Sequence, residues 1–240
     1  MGKGTVERKK MATRIVVISD THNRHDEVKL PGGDILIHCG DATGRGRPGE
    51  VEKFLAWFDK QPYVYKIMIA GNHDFMFQTN PLDIGKGLLN YPNTIYLQDS
   101  SIVCFGIKFY GSPWQPWFHD WAFNAIRGEE IAAIWDNIPP DTDFLITHGP
   151  PMGILDRTQE GDRVGCEDLW RRIKKIKPKV HAFGHIHEAY GTYYNEHTLF
   201  ANASICTLNY VPSNAAIVFD RDADGNFVFC RVGVDGFVED

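Results

Sequence analysis

Cysteine is scarce and unpaired in this chain. Its five copies among 240 residues, Cys39, Cys104, Cys166, Cys206 and Cys230, are scattered, odd in number and form no C-x-x-C pair. That usage excludes a disulfide framework and fits a reducing compartment, so a cytoplasmic protein is expected. Long apolar runs are missing too: the longest are strand-length, far short of the ~18 residues a membrane span needs, and no membrane association is expected. Basic charge is in deficit, with 25 Lys and Arg against 31 Asp and Glu and a formal net charge of −6. General binding to polymeric nucleic acid relies on clustered Lys and Arg and is excluded; any phosphate bound here must be held locally. Internal repeats and low-complexity tracts are absent, and 43% hydrophobic with 23% charged residues is an ordinary folded composition.

At this length one well-buried core is expected. Residues 1–12 are basic and polar without the apolar segment of a signal peptide, and Val6 stands where a myristoylation motif needs Ser or Thr. The expected organisation is a disordered leader over 1–12 and a single domain over 13–240.

The most informative stretch is 34–41, Asp-Ile-Leu-Ile-His-Cys-Gly-Asp. A branched apolar run bounded by Pro31-Gly32-Gly33 and by Gly40 predicts a short buried strand. Its end delivers Asp41 to the rim of a sheet, where open α/β sheets place ligand chemistry. Four other strand-like runs end in the same manner. Ile15-Val16-Val17-Ile18 leads into Ser19-Asp20-Thr21-His22, and 66–70 into Gly71-Asn72-His73-Asp74. Likewise 144–146 leads into Thr147-His148-Gly149-Pro150, and 180–183 into Gly184-His185-Ile186-His187. Helices are expected over 50–60, 128–137 and 165–177, the first with Val51, Phe54, Leu55 and Phe58 at helical spacing. An irregular region around Pro81, Gly85 and Gly87 is expected after the third strand, then hairpin strands at 94–97, 102–105 and 107–110. The tail predicts further hairpins from 198–202, 205–210, 215–220 and 227–232.

Carboxylates, imidazoles and an Asn amide at successive strand ends make an O/N donor set that suits divalent first-row metals, and the lack of Cys in it argues against structural zinc. In content and order, Asp20-x-His22, Gly40-Asp41, Gly71-Asn72-His73-Asp74, His148 and Gly184-His185-x-His187 resemble the signature of the calcineurin-like metallophosphoesterases. The resemblance covers about 14–220, and Ser-Asp-Thr-His, Gly-Ser-Pro-Trp, Thr-His-Gly-Pro-Pro and Asn-Ala-Ser are similar to the small metallophosphoesterase-domain-containing, fetal-brain-protein-like subfamily. It implies an α/β (α+β type) fold, a four-layer sandwich of two mixed β-sheets flanked by helices.

The same resemblance implies two divalent metal ions, manganese first with iron or zinc as alternatives. Asp20, His22 and His187 would hold one and Asn72, His148 and His185 the other, with Asp41 between them. Two dications about 3.5–4 Å apart repel and need an anionic bridge, which supports that role for Asp41. Some members of the fetal-brain branch carry Gly where this chain has His185. His73 is implied as the catalytic imidazole, with Asp74 as its orienting carboxylate. The implied activity is a phosphodiesterase that hydrolyses small phosphodiesters such as cyclic nucleotides by attack of a bridging hydroxide. A phosphomonoesterase with the same site, or a nucleotide-binding protein of low turnover, are the alternatives. The oligomeric state stays open.

Beyond this set, Trp114 and His119 in the aromatic loop 113–119, and Asn202 in the Asn-Ala-Ser block, are expected as substrate contacts. His25, His38, His181 and His197 are expected as surface or packing residues. Gly44-x-Gly46-x-x-Gly49 matches a dinucleotide fingerprint, but Arg45, Arg47 and Pro48 crowd it and the histidine blocks would go unexplained. Asp220-x-Asp222-x-Asp224-Gly225 opens like an EF-hand loop, yet Arg231 stands where Glu is required, so a hairpin turn is expected. Asn202-Ala203-Ser204 also fits a glycosylation acceptor and is expected to stay unmodified.

Overall fold

A computed structural model describes residues 13–230. The leader expected over 1–12, and the end of the strand expected over 227–232, lie outside the described residues. The first half of the chain forms β1 (Thr13–Ile18), β2 (Ile35–Cys39), α1 (Pro48–Asp59), β3 (Tyr65–Ile69), α2 (Phe75–Thr79), α3 (Pro81–Leu88), β4 (Thr94–Tyr96), β5 (Ser100–Cys104) and β6 (Ile107–Ser112). The second half continues with β7 (Gln115–Pro116), β8 (Asn124–Ala125), α4 (Glu129–Asp136), β9 (Phe144–Thr147), α5 (Glu167–Ile176), β10 (Val180–Phe183), β11 (Gly191–Tyr194), β12 (Leu199–Asn202), β13 (Ile217–Arg221) and β14 (Phe227–Cys230).

Alternation along each strand explains how these elements stack. Ile15 and Val17 of β1, Ile35 and Ile37 of β2 and Ile67 and Ile69 of β3 face one way, onto Phe109, Phe144, Ile146, Val180 and Ala182 of a second sheet. The intervening Val16, Ile18, Leu36 and Met68 face the other way, onto Val51, Phe54, Leu55 and Phe58 of α1 and Phe77 of α2. Tyr110, Leu145, Phe183 and Phe200 on the far side of the second sheet are covered by Ile131 and Trp135 of α4 and Leu169 and Ile173 of α5. The result is the expected four layers, helices on two packed sheets on helices. Strand order is β14-β13-β1-β2-β3-β4 in one sheet and β11-β12-β10-β9-β6-β5 in the other. Both have a parallel centre; the second sheet is antiparallel at both edges, whereas the first is antiparallel at the β14-β13 edge and ends in a parallel β4 at the other.

Some expectations need correction. The region after β3 is helical, α2 and α3, because Pro81 opens α3 and Ile84 is buried, while Gly85 and Gly87 face open space where they cost packing nothing. β4 forms no hairpin: the two helices carry the chain over the sheet so that β4 pairs parallel with β3. Only β5 and β6 form the antiparallel pair expected there. In the tail, 205–210 is no strand; it crosses from one sheet to the other and turns at Thr207 and Tyr210. β12 pairs parallel with β10, and its antiparallel partner is β11, an exposed edge strand the sequence pattern does not announce. The hairpin turn at 222–225 joins β13 to β14 as expected.

Candidate metal centre

The parallel strands β1, β2, β3, β9 and β10 all end at one rim, and each hands over a donor immediately afterwards: Asp20 and His22, Asp41, Asn72 and His73, His148, then His185 and His187. Several of these residues depart from extended backbone. Asp20, His22, Asp41 and His185 have φ of 53°, 41°, 55° and 70°, a region that side-chain-bearing residues enter at a cost. Backbone bonds from Asp20 N to the Gly40 carbonyl and from His22 N to the Asp41 carbonyl hold those turns against each other.

The side chains converge in three overlapping groups, Asp20-His22-His187, His22-Asp41-His73 and Asp41-His148-His185. Asp41 belongs to two of them. Its Oδ2 lies 3.8 Å from His22 Nε2, 3.4 Å from His148 Nε2 and 3.9 Å from His73 Nε2. Asp20 Oδ1 lies 3.4 Å from His187 Nε2, and Asn72 Oδ1 lies 2.9 Å from His148 Nε2. The structure thus gathers every residue expected in the donor set and places His73 at its edge.

Orienting bonds come from backbone carbonyls. Cys39 O accepts from His148 Nδ1 at 3.0 Å and Thr207 O from His187 Nδ1 at 3.0 Å, which leaves both Nε2 atoms free to face the carboxylates. Ser204 Oγ and the backbone N of His185 donate to Asp20, and the backbone N of His73 donates to Asp41 Oδ1. Burial opposes charge throughout, yet the fields of the two carboxylates prevail at His148 and His187, which rise to about 9. At His22 and His185 burial wins, lowering them to about 4 and about 3 and keeping them neutral.

The donors fit divalent ions. His22 Nε2 and His187 Nε2 face each other at 3.2 Å, although His187 Nδ1 already carries the proton given to Thr207 O. Facing imidazole nitrogens beside two buried carboxylates hold a positive charge between them, either the proton that keeps His187 at about 9 or a divalent cation in its place, and hard-to-intermediate metals accept this O/N mixture.

Asp74 does not orient the His73 ring. Its fully buried carboxylate accepts from the backbone N of Gly71, Ala42 and Thr43 and from Thr43 Oγ1, and so ties the β2 and β3 turns together. Burial and the neighbouring Asp41 charge raise it to about 6. His73 Nδ1 instead meets Gly44 O at 2.7 Å, and its ring stacks on Trp121 at 4.1 Å between centroids.

The expected substrate contacts are also redistributed. Trp114 is turned away, donating to Asp99 Oδ2 at 2.8 Å and packing on Phe123. His119 is exposed beside Phe118, outside the cleft lining. Asn202 is fully buried: its amide donates to Ile186 O and its oxygen accepts from Ser204, so it braces the loop that carries His185 and His187. The cleft over the donors, about 220 Å³, is lined by Asp41, Asn72, His73, His185 and His187 together with Phe118, Trp121, Leu208 and Tyr210. Trp121 stands just beyond the aromatic loop singled out in the sequence, while Leu208 and Tyr210 carry no local signal. His38 and His181 are packing residues, fully buried and bonded to Thr21 Oγ1 and Thr147 Oγ1.

Two sheets that aim carboxylates, imidazoles and an amide at one shared rim define a metal-binding hydrolase site of the phosphoesterase class. The chain belongs to the calcineurin-like phosphoesterase family, whose profile matches residues 13–190. It is 45% identical to human metallophosphoesterase domain-containing protein 1 over 236 residues, which span 89% of this chain and 72% of that protein. A UPF0046 protein of Caenorhabditis elegans is 38% identical over 226 residues, 86% of this chain and 80% of its own length. Among solved structures, the protein TT1561 of Thermus thermophilus shares the fold at TM-score 0.59 and 13% identity, covering 80% of this chain and 89% of that one.

Proposed function

We propose that the chain is a metal-dependent phosphodiesterase for small phosphodiesters, cyclic nucleotides among them. The observation that carries this reading is the position of Asp41, whose Oδ2 lies 3.8 Å from His22 Nε2, delivered by one sheet, and 3.4 Å from His148 Nε2, delivered by the other. That arrangement suits a pair of ions, with manganese as our choice and iron or zinc as alternatives. Bound divalent ions supply Lewis acidity toward phosphoryl oxygens and acidify water. The chain's own groups do the rest. Asp20, His22 and His187 form one set of donors, and Asn72, His148 and His185 the other. His73 stands at the open side of the donor set with Nδ1 committed to Gly44 O, so Nε2 faces the cleft, and the ring in its imidazolium form can give the Nε2 proton to a leaving oxygen and return to the neutral Nδ1–H tautomer. Phe118, Trp121, Leu208 and Tyr210 give apolar cover to organic substituents, which a diester carries on both sides of its phosphorus. Five free cysteines, four of them buried, support a reducing, cytoplasmic setting; no described helix is long and apolar enough to cross a membrane.

The test is a substrate panel with manganese-loaded protein: bis(4-nitrophenyl) phosphate, 4-nitrophenyl phosphate and a cyclic nucleotide. Turnover of both diesters well above the monoester is expected. Faster monoester turnover would establish the phosphomonoesterase instead, and tight nucleotide binding without turnover the binding protein.

A further inference from the structure

The cleft over the donor set holds about 220 Å³. Enclosed ligand pockets run to roughly 300–1,000 Å³, so the organic part of a phosphate ester seated here continues out over the mouth. Two loops form that mouth. Phe118 lies 6.4 Å from the His185 ring, beside one donor group, and Tyr210 lies 4.8 Å from the His22 ring, beside the other. Phe118, Leu208 and Tyr210 line the cleft and are still 51%, 46% and 46% exposed, while their chain neighbours Trp117 and Val211 are 60% and 50% exposed. Hydrogen bonds fix both loops in this posture. Trp117 N donates to Ala125 O and Phe118 N to Asn124 Oδ1; Thr207 N donates to Val211 O and Tyr210 N to Thr207 O. Single exposed apolar residues are ordinary, but a rim of them held open around one cleft is surface for a ligand to cover. The chemistry of that ligand follows from what the walls lack. Besides the candidate donors and His73, the lining among the described residues is Phe118, Trp121, Leu208 and Tyr210, whose only side-chain polar groups are one indole N–H and one phenol O–H. A nucleobase edge read by hydrogen bonds needs several fixed partners, whereas a hydrocarbon chain needs none.

On the reading of the cleft as a phosphate ester site, we propose that its mouth is a hydrocarbon subsite and that the preferred substrate is an amphiphilic phosphodiester, one arm of which carries an alkyl or acyl chain. The phosphoryl group sits over the donors. The chain runs out between Phe118 on one loop and Leu208 and Tyr210 on the other, and covers Trp117 and Val211 as it lengthens.

Calorimetry on manganese-loaded protein with monomeric methyl-, butyl- and octylphosphonate tests this without turnover, because their carbon–phosphorus bond is no ester. Full burial of a methylene is worth roughly fourfold in affinity and a half-open wall about twofold, so a gain of about fifteenfold from butyl to octyl is expected. The double variant Leu208→Ser/Val211→Ser should lower the octyl-to-methyl affinity ratio about fivefold, and Leu82→Ser, an exposed leucine on α3, should leave it unchanged. A flat chain-length series, a ratio unmoved in the double variant or lowered equally by Leu82→Ser, adenosine monophosphate bound more tightly than octylphosphonate, or no binding of any phosphonate would overturn the subsite. A steep series without ester hydrolysis in the substrate panel would remove the phosphodiesterase reading and leave the hydrocarbon subsite, whereas diester turnover with a flat series would do the reverse.

Discussion

His73 and His185 line the same cleft and are expected to answer substitution in opposite ways. The His73 side chain is 14% accessible and its Nδ1 is fixed by Gly44 O. His73→Ala should therefore keep the metal content of the wild type while turnover falls by roughly 10²–10⁴-fold, the range for a lost general acid. Elemental analysis beside kcat decides it, and loss of metal would move His73 into the donor set, as its place in the His22-Asp41-His73 group would allow. The His185 ring groups with His148 and Asp41 and not with the Asp20-His22-His187 set. His185→Gly should leave one tight ion, weaken the other, and give activity that recovers in part at high manganese, because water can fill the gap but cannot orient as a fixed imidazole does. Titration of activity against manganese checks this, and an unchanged metal dependence would reduce His185 to a packing role.

The turn that follows β10 has almost no room, and that tightness is what presses its histidines against the other sheet. A Cβ built on Gly184 would lie 2.0 Å from Asp20 Oδ2, which Ser204 Oγ and the backbone N of His185 hold in place, and 2.2 Å from Ser19 Oγ, which is bonded to Gly40 O. Gly184→Ala is expected to cost about 1–3 kcal/mol, as overpacking of a well-filled site does. It should also weaken metal binding by displacing Asp20. Urea unfolding and manganese calorimetry measure the two effects, and a variant with native metal affinity would show that the Asp20 carboxylate has more freedom than this packing indicates. The neighbouring turn after β3 is built alike, since a Cβ at Gly71 would meet Asp41 Oδ1 at 2.3 Å.

Taken as one body, the molecule buries neutral histidines between its layers, and this makes its stability sensitive to acid. His38 and His181 have no exposure, and burial lowers each from 6.5 to about 3. Their folded-state values are depressed, so their contribution is complete above pH 6.5 and is lost as pH falls toward 3, while the unfolded chain takes up protons that the folded chain refuses. Each group steepens the acid side by at most about 1.4 kcal/mol per pH unit. His181→Leu leaves Thr147 Oγ1 its bond to Gly149 O. In chelator, its unfolding free energy between pH 6 and pH 5 should fall less steeply than the wild type's by about 1 kcal/mol per unit; equal slopes would mean that His181 is protonated within the fold.

The strand ends that carry Asp20, His22, Asp41, Asn72, His148, His185 and His187 could be read from the chain because their causes are local, whereas the four-layer arrangement followed only from resemblance to a family. A buried strand needs a run of branched apolar residues, and a metal needs particular side chains directly after it, so Asp41 or His148 announces itself within a few residues. Other features depended on partners far along the chain. Thr207 O, Gly44 O and Cys39 O orient three of the imidazoles, and a backbone carbonyl has no identity in a sequence. Asp74 could be read as a partner of His73 until the fold gave its oxygens to the β2 and β3 turns, and Trp114 as a cleft wall until Asp99 claimed its indole. Trp121 and Tyr210 reach the cleft only because two sheets close on each other and bring the 118–121 and 207–211 loops to one mouth. That juxtaposition is a matter of long-range packing, which no spacing within one segment encodes.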